Sequence, residues 1–195
     1  MITVHHLAAS QSDRILWLCE ELGLPYELRR YEREPRGAAP PEFKALHPFG
    51  TAPVIEDGDL VLGESGAIVE YLCMRHGGGR LVLGPDDEDY PDYLYWFHFA
   101  NGSMVPGLMV DYVTAAAGGK GAGEGPSRSE RAIALAEARL GEVPYFAGRA
   151  FTAADIMMCL PRFGESRDLS NSPNIQAYLE RIGERPAWQR TLQLR

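Results

Sequence analysis

The chain lacks any surplus of positive charge: 19 Lys and Arg stand against 27 Asp and Glu in 195 residues, a formal net charge of -8. Nucleic-acid binding needs a concentrated basic face to displace counterions from phosphates, and no long Lys/Arg run supplies one. Cysteine is scarce as well. Cys19, Cys73 and Cys159 stand in apolar, helix-patterned segments without CxxC spacing, which predicts buried, reduced thiols and neither zinc nor disulfides. His5 and His6 have no cysteine or acid at ligand spacing, so they read as strand residues and no metal is expected. There is no long uninterrupted hydrophobic run. The most apolar stretch, Tyr93 to Val113, is broken by His98, Asn101, Pro106 and Asp111, and reads as a buried helix rather than a membrane span. Met1-Ile2-Thr3-Val4 enters a strand pattern with no basic stretch, apolar core or cleavage-type sequence, so a cytoplasmic protein is expected.

What is present is a short α/β opening. Residues 2–7 pattern as a strand, and Ile15, Leu16, Leu18, Cys19 and Leu22 recur with the spacing of a helix's core face, ended by Gly23. A second strand near Tyr26–Tyr31, a Pro-rich loop through Pro41 and a helical turn near Phe43–Leu46 follow. Pro53–Glu56, the Asp57-Gly58 turn and Leu60–Leu62 give the strongest hairpin signal in the chain. A helix from Ser65 to about Arg75 closes the unit. Strand-helix-strand, then hairpin, then helix is the order of a thioredoxin-like domain, placed at 1–76. Residues 77–90, with Gly77-Gly78-Gly79 and an acidic run, read as a linker. Residues 91–195 read as an all-α domain, with helices near 91–116, 127–141, 152–164, 173–183 and 186–193. The Gly-rich Gly118–Pro126 reads as a connection between two of them.

Three polar openings punctuate the first unit: Ser10-Gln11-Ser12-Asp13-Arg14, Thr51-Ala52-Pro53-Val54 and Glu64-Ser65-Gly66. A hydroxyl opens a helix, a proline opens a strand, and an acid-serine pair opens a second helix. Together they suit one elongated, anionic, peptide-like ligand such as a free tripeptide thiol. Ser10 lies between strand and helix, where unpaired backbone N–H groups and the positive end of the helix dipole favour anions, and its hydroxyl can donate to a thiolate. It also fits a helix cap, since Ser10-x-x-Asp13 is a capping-box variant, and Ser12 is the rival for either role. Pro53 has no N–H to join a ladder, which fits an edge strand. Ser65 can offer its hydroxyl and backbone N–H to a carboxylate, and Glu64 can pair with an ammonium group.

The segments "SQSDRILWLCEELGLPYEL", "EFKALHPFGTAPVIEDGDLVLGESGAIVEYL" and "FTAADI", in that order and ahead of or within an all-helical half, resemble the cytosolic glutathione S-transferases of the serine-type, theta-like bacterial kind. The resemblance implies the glutathione S-transferase fold and an enzyme of detoxification that activates the glutathione thiol and conjugates it to small hydrophobic electrophiles. Glutathione is then the co-substrate, without a metal, and the assembly a homodimer with no nucleic-acid or membrane partner. Glutathione-dependent peroxide reduction or dehalogenation is the related alternative, and a non-catalytic ligand-binding or adaptor role the one from another class.

Carried over by residue, the resemblance makes Ser10 the thiolate donor and Thr51, Ala52, Pro53, Glu64 and Ser65 the glutathione-binding set. It implies a cis Ala52–Pro53 bond, which presents the Ala52 backbone to the cysteinyl unit. Relatives often carry a cation just before the Ala-Pro pair, where this chain has Thr51. Lys44, His47 or a partner-subunit residue is the substitute for holding the glycyl carboxylate. Ser103, Val105, Met109 and Tyr112 are the candidates for an electrophile pocket, with core packing as their ordinary alternative. Phe49 suits either insertion into a neighbouring subunit or cover for its own core. Phe151-Thr152-Ala153-Ala154-Asp155-Ile156 combines a Thr-x-x-Asp capping box with a Phe151–Ile156 staple, and is read as scaffold.

Overall fold

The computed structural model describes residues 1–119, 125–164 and 168–195, so residues 120–124 of the Gly118–Pro126 connection lie outside the described residues. The chain divides into two compact units, Met1–Val82 with Gly183–Arg195, and Leu83–Ile182.

In the first unit β1 (Ile2–Leu7) leads through α1 (Asp13–Leu22) into the parallel strand β2 (Tyr26–Tyr31). The predicted apolar face of α1, Ile15, Leu16, Leu18, Cys19 and Leu22, is buried. Gly23 ends the helix at φ 62, a left-handed conformation that costs glycine little, and its N–H returns to Cys19 and Glu20 carbonyls. A single turn, α2 (Pro41–Lys44), precedes the hairpin of β3 (Val54–Asp57) and β4 (Leu60–Gly63), and α3 (Ser65–Arg75) follows at once. The strand order is β2-β1-β3-β4, with β3 antiparallel to both neighbours. Pro53 therefore does not open an edge strand. Its hairpin partner β4 takes the outer position, and the missing N–H is harmless because pairing begins one residue later at Val54.

The last helix, α10 (Pro186–Leu194), belongs to this first unit and not to the helical domain of 91–195. Trp188 is buried edge-on against Trp17 of α1 at 4.8 Å between ring centroids. Arg185, just before α10, makes a fork of hydrogen bonds of 2.6 and 2.7 Å to the Glu21 carboxylate.

The second unit opens with α4 (Tyr90–Phe99) and α5 (Val105–Ala116), and the one helix expected over 91–116 is interrupted by a π-helical stretch at Ala100–Met104. Pro106 explains the break: it has no N–H for the Gly102 carbonyl four residues back and its ring crowds that group. Gly102 instead accepts a 2.9 Å hydrogen bond from Arg128 Nη2. After α6 (Arg128–Glu142), the helix expected over 152–164 also splits, into α7 (Ala153–Met158) and α8 (Leu160–Gly164). Pro161 is the cause, since it has no N–H for the Met157 carbonyl four residues back and its ring crowds that group, and Cys159 between the pieces sits at φ 44. Helix α9 (Pro173–Gly183) follows.

Candidate functional site

Strand register gathers the three polar openings of the first unit. Val54 pairs with His5 on one side and with Gly63 on the other. The end of β1, the start of β3 and the end of β4 therefore share one end of the sheet. The Ser10 loop leaves from the first, Pro53 enters the second, and Glu64 follows the third. The Ala52–Pro53 bond is cis, as the resemblance implied. Pro53 is buried, Ala52 half-buried and Thr51 exposed.

The loop before α1 is fastened from below. Arg33 Nε and Nη2 donate to the Ala8 and Ala9 carbonyls at 2.8 and 3.1 Å, while Nη1 donates to Gly37 at 2.7 Å. Ala9 lies at φ 53, a left-handed conformation uncommon outside glycine. Ser10 follows, half-buried. Its Oγ accepts the Ser12 N–H at 3.1 Å and lies 2.8 Å from Ser12 Oγ. The Ser10-x-x-Asp13 box does not form. Ser12 occupies the N-cap position of α1 without making a side-chain cap hydrogen bond. The Ser12 hydroxyl is fully buried and turned inward, 2.8 Å from His6 Nδ1 and 3.3 Å from the Leu7 carbonyl. Of the two serines, only Ser10 remains partly open to solvent.

At the start of α3, Glu64 is exposed at φ 65 and its carboxylate makes no hydrogen bond with the described residues, whereas Ser65 is buried. Ser65 Oγ accepts a 2.9 Å hydrogen bond from Arg14 Nη1 and donates to Gln11 Oε1 at 3.1 Å. The same guanidinium nitrogen donates to Gln11 Oε1 at 2.5 Å. A buried cation thus stands directly behind the hydroxyl at this helix start, an electrostatic setting suited to a carboxylate. Neither Gln11 nor Arg14 was singled out by its sequence. The available signal was an arginine three and four residues ahead of Trp17 and Leu18, on a helix face that is otherwise core.

His47, one of the candidates to replace a cation at Thr51, packs its ring over Gly63, where an added Cβ would lie 3.4 Å from Cε1. That places it beside the end of β4. Lys44, exposed on α2, packs against Gly50. Phe49 is 72% exposed rather than folded over its own core. Burial pushes the Cys19 and Cys73 thiols up to about 12, which keeps both protonated and inert. No group of His, Cys, Asp or Glu that could hold a metal occurs among the described residues.

Within the second unit, Pro91, Leu94, Tyr95, His98, Phe99 and Ser103 line an open cleft of about 550 Å³. Ser103 is the one of the four electrophile-pocket candidates that lines it. Val105 is half-buried, and Met109 and Tyr112 are exposed on α5. The Thr152 capping box forms in full, and Asp155 is buried among four donors: Phe146 N at 3.0 Å, Thr152 N at 2.8 Å, and the Thr152 and Tyr178 hydroxyls at 3.3 Å.

The family described as "Glutathione S-transferase, N-terminal domain" matches residues 9–75, the span holding all three openings. Glutathione S-transferase 3 of Schizosaccharomyces pombe is 34% identical over 96% of this chain and 85% of its own length. The chain belongs to the glutathione S-transferase family. A crystallised glutathione S-transferase of Actinobacillus pleuropneumoniae superposes with a TM-score of 0.82 at 33% identity, covering 99% of this chain and 92% of its own. The theta-class enzyme of Xanthomonas axonopodis pv. citri, solved with glutathione bound, gives 0.77 at 26% identity over 97% and 96% of the two chains. Such family membership confirms the thioredoxin-like sheet unit and the helical unit as one known architecture, and makes the chain a glutathione S-transferase by class. No helix among the described residues is long and apolar enough to cross a membrane.

Proposed function

We propose that the end of the sheet bearing Ser10, Pro53 and Ser65 binds glutathione, that Ser10 holds its sulfur as the thiolate, and that the thiolate attacks a small hydrophobic electrophile. The observation that carries this is the division between the two serines: Ser12 is fully buried in its own hydrogen bonds, and Ser10 stays half-buried at the mouth of α1. A free thiol titrates near ~8.5, so lowering it by about two units takes roughly 2.7 kcal/mol of preference for the anion. One charge-assisted hydrogen bond and the positive end of a ten-residue helix are of that size.

Along the rest of the tripeptide, Ala52 offers its N–H and carbonyl to the cysteinyl backbone as a short strand-like pair. Ser65 turns its hydroxyl proton from Gln11 to the γ-glutamyl carboxylate, with the Arg14 charge behind it, and the exposed Glu64 carboxylate receives the adjacent ammonium. His47, Lys44 or a partner-subunit residue takes the glycyl carboxylate in place of a cation at Thr51. The thiolate then forms the new carbon–sulfur bond while the electrophile's leaving group departs with its electron pair, or its π bond takes up the pair in an addition. Proximity and the raised thiolate fraction supply the acceleration. Ser103, Val105, Met109 and Tyr112 are the proposed electrophile contacts, and a cytoplasmic homodimer is the proposed form.

Retention on immobilised glutathione, followed by turnover of a chloro-nitroaromatic electrophile, tests this function. Binding with turnover is expected. Binding without turnover favours an adaptor, and absence of binding removes the glutathione site.

A further inference from the structure

His6 sits on the buried side of β1 with no place in the proposed chemistry, yet it is connected to it through two hydroxyls. His6 Nδ1 is 2.8 Å from Ser12 Oγ, and Ser12 Oγ is 2.8 Å from Ser10 Oγ. The buried Asp13 carboxylate lies 3.8 Å from the same Nδ1. Resting on the assignment of Ser10 as the thiolate donor, we propose that His6 and Ser12 are positioning residues that force the Ser10 proton outward, toward the sulfur.

A serine hydroxyl has one proton to give and two lone pairs to fill. Ser10 Oγ already accepts the Ser12 N–H at 3.1 Å. If Ser12 donates to it as well, both lone pairs are taken and the Ser10 O–H must point away from the protein. Reversing the chain makes Ser10 donate inward to Ser12, and a sulfur anion then faces an oxygen lone pair. The protonation of His6 Nδ1 decides between the two directions. With a proton there, His6 donates to Ser12 and Ser12 donates to Ser10. With a lone pair there, Ser12 must donate to His6. The Asp13 oxygen at 3.8 Å attracts an N–H and repels a lone pair, so it favours the outward direction. Ser12 has one competing acceptor, the Leu7 carbonyl, but at 3.3 Å it is the longer contact. Hydrogen bonds in such a chain polarise one another, so the Ser10 proton is a stronger donor than that of an isolated serine.

The test is the ultraviolet absorbance of the thiolate of protein-bound glutathione, titrated with pH in the full chain. Ser12→Ala and His6→Leu should each raise the midpoint by about one pH unit, a tenfold loss of thiolate below it. His6→Asn, whose amide N–H stands near the place of Nδ1–H, should return the midpoint to that of the parent. In a Ser10→Ala background neither Ser12→Ala nor His6→Leu should move it further, since the donor they aim is gone. A merely structural role would lower the urea midpoint of unfolding and leave the titration where it was. Parental midpoints in Ser12→Ala and His6→Leu, with a raised one in Ser10→Ala, overturn the relay and leave the role of Ser10 intact. An unmoved midpoint in Ser10→Ala overturns that role itself. Should His6→Leu not fold, Ser12→Ala alone and combined with Ser10→Ala decides, because it removes a single buried oxygen.

Discussion

Two helix starts in this chain carry the same four-residue signature, a hydroxyl residue followed three places later by aspartate, and they meet opposite fates. At Thr152-Ala153-Ala154-Asp155 the box closes, with Thr152 and Asp155 both buried. At Ser10-Gln11-Ser12-Asp13 it stays open: the helix begins three residues after Ser10, Asp13 turns toward His6, and Ser10 is left half-exposed. The surroundings make the difference. Asp155 finds Phe146 N and Tyr178 OH waiting from its own unit. Ser10 sits on a loop pinned by Arg33, which holds it two residues ahead of the N-cap Ser12. A closed box is satisfied and serves stability, whereas an open one leaves a donor available to a ligand.

At the closed box, Asp155 is the residue whose loss costs most. Asp155→Ala strands buried donors from Phe146, Thr152 and Tyr178 and should cost on the order of 3–5 kcal/mol of unfolding free energy in urea. Glutathione affinity in the protein that remains folded should be unchanged.

Next in size is the pH dependence of the same carboxyl. Burial lifts Asp155 to about 6, against the opposing pull of its donors. Because the folded value is raised, this group's contribution to stability is complete below about pH 4 and is lost as pH climbs through 6, a change of roughly 2–3 kcal/mol. Asp155→Asn should remove that part of the slope between pH 4 and 6. An unaltered slope would mean that another group produces it.

Ser65→Ala should raise KM for glutathione about fivefold to tenfold with kcat little changed, the pattern of a lost ground-state contact. A fall in kcat alone would move Ser65 from holding the ligand to acting on the sulfur. Smallest is Thr152→Ala, which should cost on the order of 1 kcal/mol by thermal or urea unfolding and leave glutathione affinity alone. Loss of affinity there would erase the distinction between the two helix starts.

The fold was legible where local rules governed it. Apolar period marked α1, the Asp57-Gly58 turn marked the hairpin, and Gly23 marked the stop, because each of these is decided within a few residues. The two helices that broke did so at Pro106 and Pro161, where the proline announced a break but not whether a π-helical stretch or a left-handed Cys159 would absorb it. The interior place of β3 and the docking of α10 on α1 depended on pairings far apart in sequence. At the site, the polar openings could be named from the chain, yet Gln11, Arg14 and Arg33 act through partners 24 to 54 positions away, and spacing alone carries no sign of those.

In the proposed mechanism the Ser10 hydroxyl keeps the glutathione sulfur charged near neutrality. Titrating the thiolate absorbance of bound glutathione in the parent and in Ser10→Ala tests it most directly. The parental midpoint is expected well below that of free thiol, with a rise of about one to two pH units when the hydroxyl is removed. A superimposable pair of curves would contradict it.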